Sequence, residues 1–515
     1  MLAAGSSARA SLSPGAGPPI GPHLALAAPC ERIRSAITFL PTEVATAESM
    51  IFNSNAFLAF LAVVSLLYGL VRHRASHRDW LILVASLVFY GWWDWRFLGL
   101  LMFTGGVDFW CAQRISLQTN PGLRRRWLWL SVVSNLGTLG FFKYAGFFVD
   151  SAAAALGHLG LSIAGPALHI VLPAGISFYT FQALSYTVDV YRGQVAAERN
   201  PVRYFAFLTF FPQLVAGPIE RASFLLPQFR QPREVTQARM AQGIWLILWG
   251  FFLKVVIADS LAPLVDLAFG SRSAGGSVIL WGTLAFGGQI YGDFAGYSAI
   301  ARGVANTMGF ELSPNFAQPY LAQNIQEFWR RWHQSLSTWF RDYVYLPLGG
   351  DRKGSSRTFF NITATFVLAG LWHGANWTFL LWGLCHGVAL GVFRLWRASS
   401  LGQRLAIPKP VGWLLTLAVV SLGWLFFRAS SIGQAFELIQ AIGNRPAPAW
   451  EATYRMAVVP GLAAIGFSDL FHRRFPPELI AGWHWPRRAA IQGALLIAII
   501  VQWGKVPPGF LYFQF

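Results

Sequence analysis

The sequence is short of charge. Only 12% of its 515 residues are Asp, Glu, Lys or Arg, about half of the roughly 25% carried by soluble domains. With 55% hydrophobic residues and a mean hydropathy of +0.45, this excludes an ordinary soluble composition. Acidic groups are the scarcer sign: 22 Asp+Glu against 40 Lys+Arg leave a net charge of +18. Cysteine is nearly missing. Cys30, Cys111 and Cys385 are unclustered, which excludes a disulfide framework and a CxxC metal site. There is no HExxH, so a zinc hydrolase has no support, and no GxSxG elbow for a serine acyl-enzyme. Long polar stretches are also lacking. The longest, 220–240 and 304–327, are too short for a separate soluble domain.

What is present is a succession of apolar runs near the roughly 20 residues that cross a bilayer. They fall at about 51–71, 80–93, 96–115, 127–149, 168–188, 202–218, 240–260 and 277–300, then near 360–375, 376–395, 411–427, 455–470 and 488–503. The pattern predicts an all-α integral membrane protein, a polytopic bundle of roughly 11–13 transmembrane and re-entrant helices. Basic residues cluster between the runs, in RHRASHR at 72–78, RRR at 124–126, HRR at 472–474 and at Arg487-Arg488. Short basic loops are what the positive-inside bias produces, and they attract anionic membrane lipids. No nucleic-acid-binding motif accompanies the charge, so no nucleic-acid partner is expected. Residues 1–49, rich in Ala, Gly, Ser and Pro, read as a disordered or mis-called N-terminal extension, because Met50 directly precedes the first clean span. The domain expected is 50–515.

Several runs are interrupted, notably LPAGISFY at 172–179 and FFPQLVAGPIER at 210–221. Non-helical backbone survives at membrane depth only when buried in protein or lining a wet cavity. These breaks therefore predict re-entrant pieces around a chamber. Charges at that depth usually face the interior. Lys143 and Lys254 read as snorkelling or structurally paired cations. Asp293, between Gly292 and Gly296, reads either as a hydrogen-bond hub at a close helix approach or as part of a substrate path.

The chemistry concentrates at 325–390. Residues 326–345 read as one amphipathic helix, with Arg330, His333, Ser337 and Arg341 at i, i+3, i+7 and i+11 and an aromatic stripe elsewhere. That polar face sets an imidazole beside guanidiniums, which suit phosphates; an interfacial helix meeting lipid phosphates is the plainer alternative. His373 lies in GLWHGANW between two apolar runs. Gly370 and Gly374 flank it at GxxxG spacing, as Gly383 and Gly387 flank His386, and close helix packing accounts for all four glycines. Asn376, at i+3, is placed to orient His373, while Trp372 and Trp377 exclude water. Imidazole is the usual base for taking a proton from a hydroxyl. His386 reads as packing, and GGDRKGSS at 349–356 as a turn-rich loop. Broken helices and intramembrane charges also suit a transporter or flippase for an anionic substrate.

EFWRRWHQSLSTWFRDYVYLPLGG and GLWHGANWTFLLWG resemble the signatures of membrane-bound O-acyltransferases, in the bacterial branch that acetylates alginate or cellulose or transfers D-alanine. VLPAGISFYTFQALSYTVDVYRG, FLTFFPQLVAGPIER, QIYGDFAGYSAIARGVANTMGF and the ending FLYFQF match as well. The resemblance covers about 50–515. It implies a central catalytic chamber, with His373 catalytic and His333 its upstream partner. Asn376, Asp293 and Ser337 become supporting candidates, and Arg330, Arg341, Arg352 and Lys353 candidate contacts for donor phosphates. It further implies no bound cofactor or metal and a cytoplasmic thioester donor, acetyl-CoA in acetylating members or a D-alanyl carrier protein in others. The acceptor would be an exopolysaccharide, alginate first, reached with periplasmic partner proteins. The location implied is the bacterial inner membrane.

Overall fold

A computed structural model describes residues 50–161, 170–271, 273–405, 407–505 and 510–511. The reading of 1–49 lies outside the described residues, as does most of the ending FLYFQF. Among the described residues every regular element is a helix, as hydrocarbon demands of a backbone that must satisfy its own polar groups. The sequence marks many helix starts. Ser54, Asn120, Asn200, Thr236, Asn324, Asn376 and Ser431 each accept a first-turn backbone N–H, the usual N-cap arrangement.

Four helical runs, Pro121–His158, Gln237–Gly270, Trp377–Ala398 and Lys409–Arg428, are long and apolar enough to cross a membrane. Asn55–Val71, Ala75–Asp94, Arg96–Leu117, Gly276–Thr307, Ser355–His373, Glu451–Arg474 and Trp485–Gln502 pack beside them. Their outward side chains are apolar, with Leu70 74% and Ile497 66% exposed, which fits lipid as the neighbour.

The helix Gly276–Thr307 runs through the interior, and its small residues let Gln237–Phe251 cross it at backbone contact. A Cβ on Gly296 would stand 2.7 Å from the Gly250 carbonyl oxygen. Near that crossing Lys254 Nζ lies 2.7 Å from Asp293 Oδ1 and 2.6 Å from Asp259 Oδ1. Asp293 Oδ2 accepts the Leu511 N–H at 2.8 Å. Asp293 is thus a structural hub tying two helices to the C-terminal segment.

The basic residues gather at one end of the bundle through a chain of contacts. Arg78 donates to the Gln231 carbonyl and Arg203 pairs with Asp79. Arg230 pairs with Glu198, and Arg124 donates to the Tyr191 carbonyl. Arg192 and Arg221 both meet Asp342. The opposite end carries the Asp94–Arg96 and Asp266–Arg428 pairs.

The two interrupted stretches are broken as expected, and they pack on one another. Gly175 takes φ +69°, and a Cβ there would lie 2.8 Å from the Leu214 carbonyl oxygen; only glycine satisfies both conditions. Gln213 donates to Gln182 at 3.1 Å across the same junction. The 349–356 stretch forms a turn-rich loop leading into Ser355–His373. One expectation fails. Residues 326–345 are not one helix but Ile325–Arg331 and Gln334–Phe340, followed by a π-turn at Arg341–Tyr345. The break is at Trp332–His333, where His333 adopts φ +40°. Amphipathic spacing continues across the break, so periodicity alone does not reveal it.

Candidate active site

Two cavities meet at His373. The larger, about 440 Å³, runs along Ser355–His373 past Ile362, Thr365, Phe366 and Ala369 to His373. These residues share one helix face, and the rise per residue makes the run about 16 Å long. Its facing wall is the broken helix pair, through Arg330, Gln334, Ser337 and Arg341; Trp382, Leu390 and Arg394 of Trp377–Ala398 complete it. The far mouth is basic. Arg394 donates to Tyr345 Oη at 3.1 Å and lies 3.6 Å from Asp351. The smaller cavity, about 130 Å³, is lined by Trp93, Lys143, the 172–178 break, Val215, Trp372 and His373. The interrupted backbone therefore does line a cavity.

His373 ends its helix, since Gly374 turns extended at φ −167°. Its ring stands edge-on to Trp372, Trp382 and Phe427, with centroids 5.1, 4.9 and 5.2 Å away. Trp372 also neighbours His333, whose centroid is 6.1 Å from that indole. His333 is 1% exposed and packs edge-on to Phe294 at 4.5 Å. Neither of its ring nitrogens has a hydrogen-bond partner among the described residues. A buried unmatched polar group costs about 1–3 kcal/mol, and left-handed backbone is unusual outside glycine. Both features at one residue point to function rather than stability.

The glycines behave as packing positions. A Cβ on Gly370 would collide with the Phe379 carbonyl oxygen, and one on Gly383 with that of Phe366. His386 is fully buried against Trp329 and Trp382, and a Cβ on Gly423 would collide with its Nε2. That is a packing role.

Of the predicted site residues, His373, Arg330, Ser337 and Arg341 line one cavity, and His333 shares the Trp372 neighbour with His373. Ser337 Oγ donates to the Trp332 carbonyl at 3.2 Å, bracing the break beside His333. The others lie apart. Asn376 caps Trp377–Ala398 by accepting the Thr378 N–H at 3.1 Å and donates to the Ser430 carbonyl at 3.1 Å. Its i+3 spacing loses meaning because the His373 helix has already ended. Arg352 and Lys353 sit in the exposed turn beyond the basic mouth, and Asp293 is held by Lys254 and Leu511. Sequence reasoning missed Arg394, which reads as one more basic residue near a span end. It also passed over Trp382. The reading of Lys143 as a structurally paired cation agrees with its hydrogen bonds to the Trp372 and His373 carbonyls.

Residues 195–432 match the model of MBOAT, the membrane-bound O-acyltransferase family. The chain is 43% identical over 398 residues to the probable alginate O-acetylase of Azotobacter vinelandii, covering 76% of this chain and 78% of that protein. It is 35% identical over 426 residues to the peptidoglycan O-acetyltransferase of Helicobacter pylori, covering 76% and 80%. A shorter match, 30% over 238 residues, joins it to the teichoic acid D-alanyltransferase of Streptococcus thermophilus, covering 43% and 57%.

Proposed function

The chain belongs to the membrane-bound O-acyltransferase family, and from that premise we propose that it passes acetyl groups from acetyl-CoA to a cell-envelope polysaccharide, alginate first. Membership makes it a membrane-embedded O-acyltransferase, with an acyl donor and a polymer acceptor, and sets the transporter alternative aside. The observation that carries the proposal is that His373 lines two cavities at once. A residue so placed meets a donor entering from one side and an acceptor entering from the other.

Sidedness follows from charge. The larger cavity has its mouth, at Arg341 and Arg394, on the basic end of the bundle, and the positive-inside bias assigns that end to the cytoplasm. In this proposal the membrane is the inner membrane and the donor is cytoplasmic. Arg330, Arg341 and Arg394 offer planar donors for the phosphates of coenzyme A, and Arg352 and Lys353 extend the positive rim. The slender larger cavity admits the thioester arm toward His373.

In the reaction, His373 takes the proton of the acceptor hydroxyl as its oxygen attacks the thioester carbonyl. A C–O bond forms and the carbonyl electrons move onto oxygen. His333 is one source of a hydrogen bond to that oxyanion. When the tetrahedral centre collapses, the C–S bond breaks and His373 returns the proton to the leaving thiolate. Periplasmic partner proteins then carry the group to the polymer. The activities of the two longer-matching relatives, alginate and peptidoglycan O-acetylation, support this choice of substrates.

Membrane vesicles of opposite orientation test the proposal. Labelled acetyl-CoA supplied outside inverted vesicles should give covalently bound label, while right-side-out vesicles should not. Label in both orientations would overturn the assigned sidedness. No label from acetyl-CoA, with label from a D-alanyl carrier protein, would replace acetyl with D-alanyl.

A further inference from the structure

Every α-helix leaves its last four carbonyls without intrahelical partners, and the helix that ends at His373 ends among aromatic side chains. Its final carbonyls are nevertheless matched. Gly370 O accepts from Gly374 N at 3.4 Å. Leu371 O accepts from the Tyr144 hydroxyl at 2.9 Å. Trp372 O and His373 O accept from Lys143 Nζ at 2.6 and 3.1 Å. Three of the four are thus held by two consecutive side chains of a different helix, more than two hundred residues earlier in the chain.

Lys143 and Tyr144 can act together because they end the π-turn Gly140–Tyr144, set inside the helical run Pro121–His158. Consecutive residues of an α-helix point about 100° apart. The wider π-turn brings the two side chains onto the same neighbour, and such turns are frequent at functional sites. The amine has three hydrogens. Two go to the helix end and the third to Ser177 Oγ at 3.3 Å, joining the start of Ile176–Tyr191 to the same point. A cation also suits the C-terminal end of a helix, where the backbone dipole is negative. Lys143 further stands over the Trp372 ring, 5.8 Å from its centroid, and that ring neighbours both histidines.

We infer that Lys143 and Tyr144 are positioning residues for His373: the π-turn is a cap supplied in trans that fixes the end of the His373 helix between the two cavities. The inference rests on the acyl-transfer reading above. Its consequence is separable, because the cap touches the helix end and the smaller cavity while the donor cavity lies along the other face. Loss of the cap should misplace the imidazole without weakening donor binding, and a misplacement of about 1 Å can cost about 10²-fold in rate.

The test measures initial rates of label transfer against acetyl-CoA concentration, with full-length protein in inverted vesicles. Lys143→Met, nearly isosteric, should lower kcat about 10²-fold while the acetyl-CoA KM stays within about 2-fold. Tyr144→Phe, which removes one hydroxyl, should lower kcat by less, again at unchanged KM. Full kcat in Lys143→Met overturns the inference, as does a parallel loss of kcat, donor affinity and thermal stability. If Lys143→Met fails to insert, Tyr144→Phe decides: undiminished kcat overturns the inference. Absence of transfer by the wild type would overturn acetyl-CoA as the donor, the part of the acyl-transfer reading on which this assay rests.

Discussion

At the scale of single residues, His333 carries the sharpest local prediction. It combines φ +40°, near-complete burial and two ring nitrogens without partners among the described residues. Asn tolerates left-handed backbone but has no imidazole. His333→Asn should therefore leave the thermal unfolding midpoint of the solubilised protein nearly unchanged. If His333 donates to the oxyanion as proposed, the same variant should lower the transfer rate about 10²–10³-fold. Wild-type rate in a stable His333→Asn protein would remove His333 from the reaction. Both histidines stood out in the sequence because each lies in aromatic surroundings, His373 also between two glycines. Lys143 stood out as a charge at membrane depth but its partner did not, and Arg394 did not stand out. Lys143 meets backbone carbonyls of Trp372 and His373, and no local pattern announces a partner so distant in the chain. Arg394 sits at a span end, where the positive-inside bias already explains an arginine.

At the scale of elements, Ser355–His373 and Trp377–Ala398 both line the larger cavity, and their glycines let the two helices touch. Gly370→Ala would press a Cβ onto the Phe379 carbonyl, and Gly383→Ala onto that of Phe366. Each should destabilise the protein by about 1–3 kcal/mol, read as a lower thermal midpoint in detergent. Gly137, also helical, has open space where a Cβ would stand, with nothing within 4 Å. Gly137→Ala should be neutral, or stabilise by about 0.5–1 kcal/mol through propensity. Equal midpoints for all three variants would contradict the packing account. This level was readable because GxxxG spacing reports close approach directly. The re-entrant breaks were readable for a similar reason, since paired Gly and Pro inside an apolar run work against a continuous helix. The break at His333 was hidden, because residues on the two short helices still converge on one cavity: Arg330, Ser337 and Arg341 share a wall despite the missing continuity.

At the scale of the whole molecule, composition already required helices in a membrane, and the long helices supply them. What composition could not supply is the joining of distant segments. The basic end is assembled from segments scattered between Arg78 and Asp342, and the smaller cavity from Trp93, Lys143, the 172–178 break and His373. Those contacts turn a succession of spans into a bundle with two openings onto one imidazole. The central claim is that this imidazole performs acyl transfer across the membrane. Its most direct test uses a strain lacking the native protein, complemented with wild type or His373→Ala, fed radiolabelled acetate and assayed for ester-linked label in secreted polysaccharide. The account predicts ester label with wild type and none with His373→Ala, at equal amounts of both proteins in the membrane. Equal ester label from the two strains would contradict it.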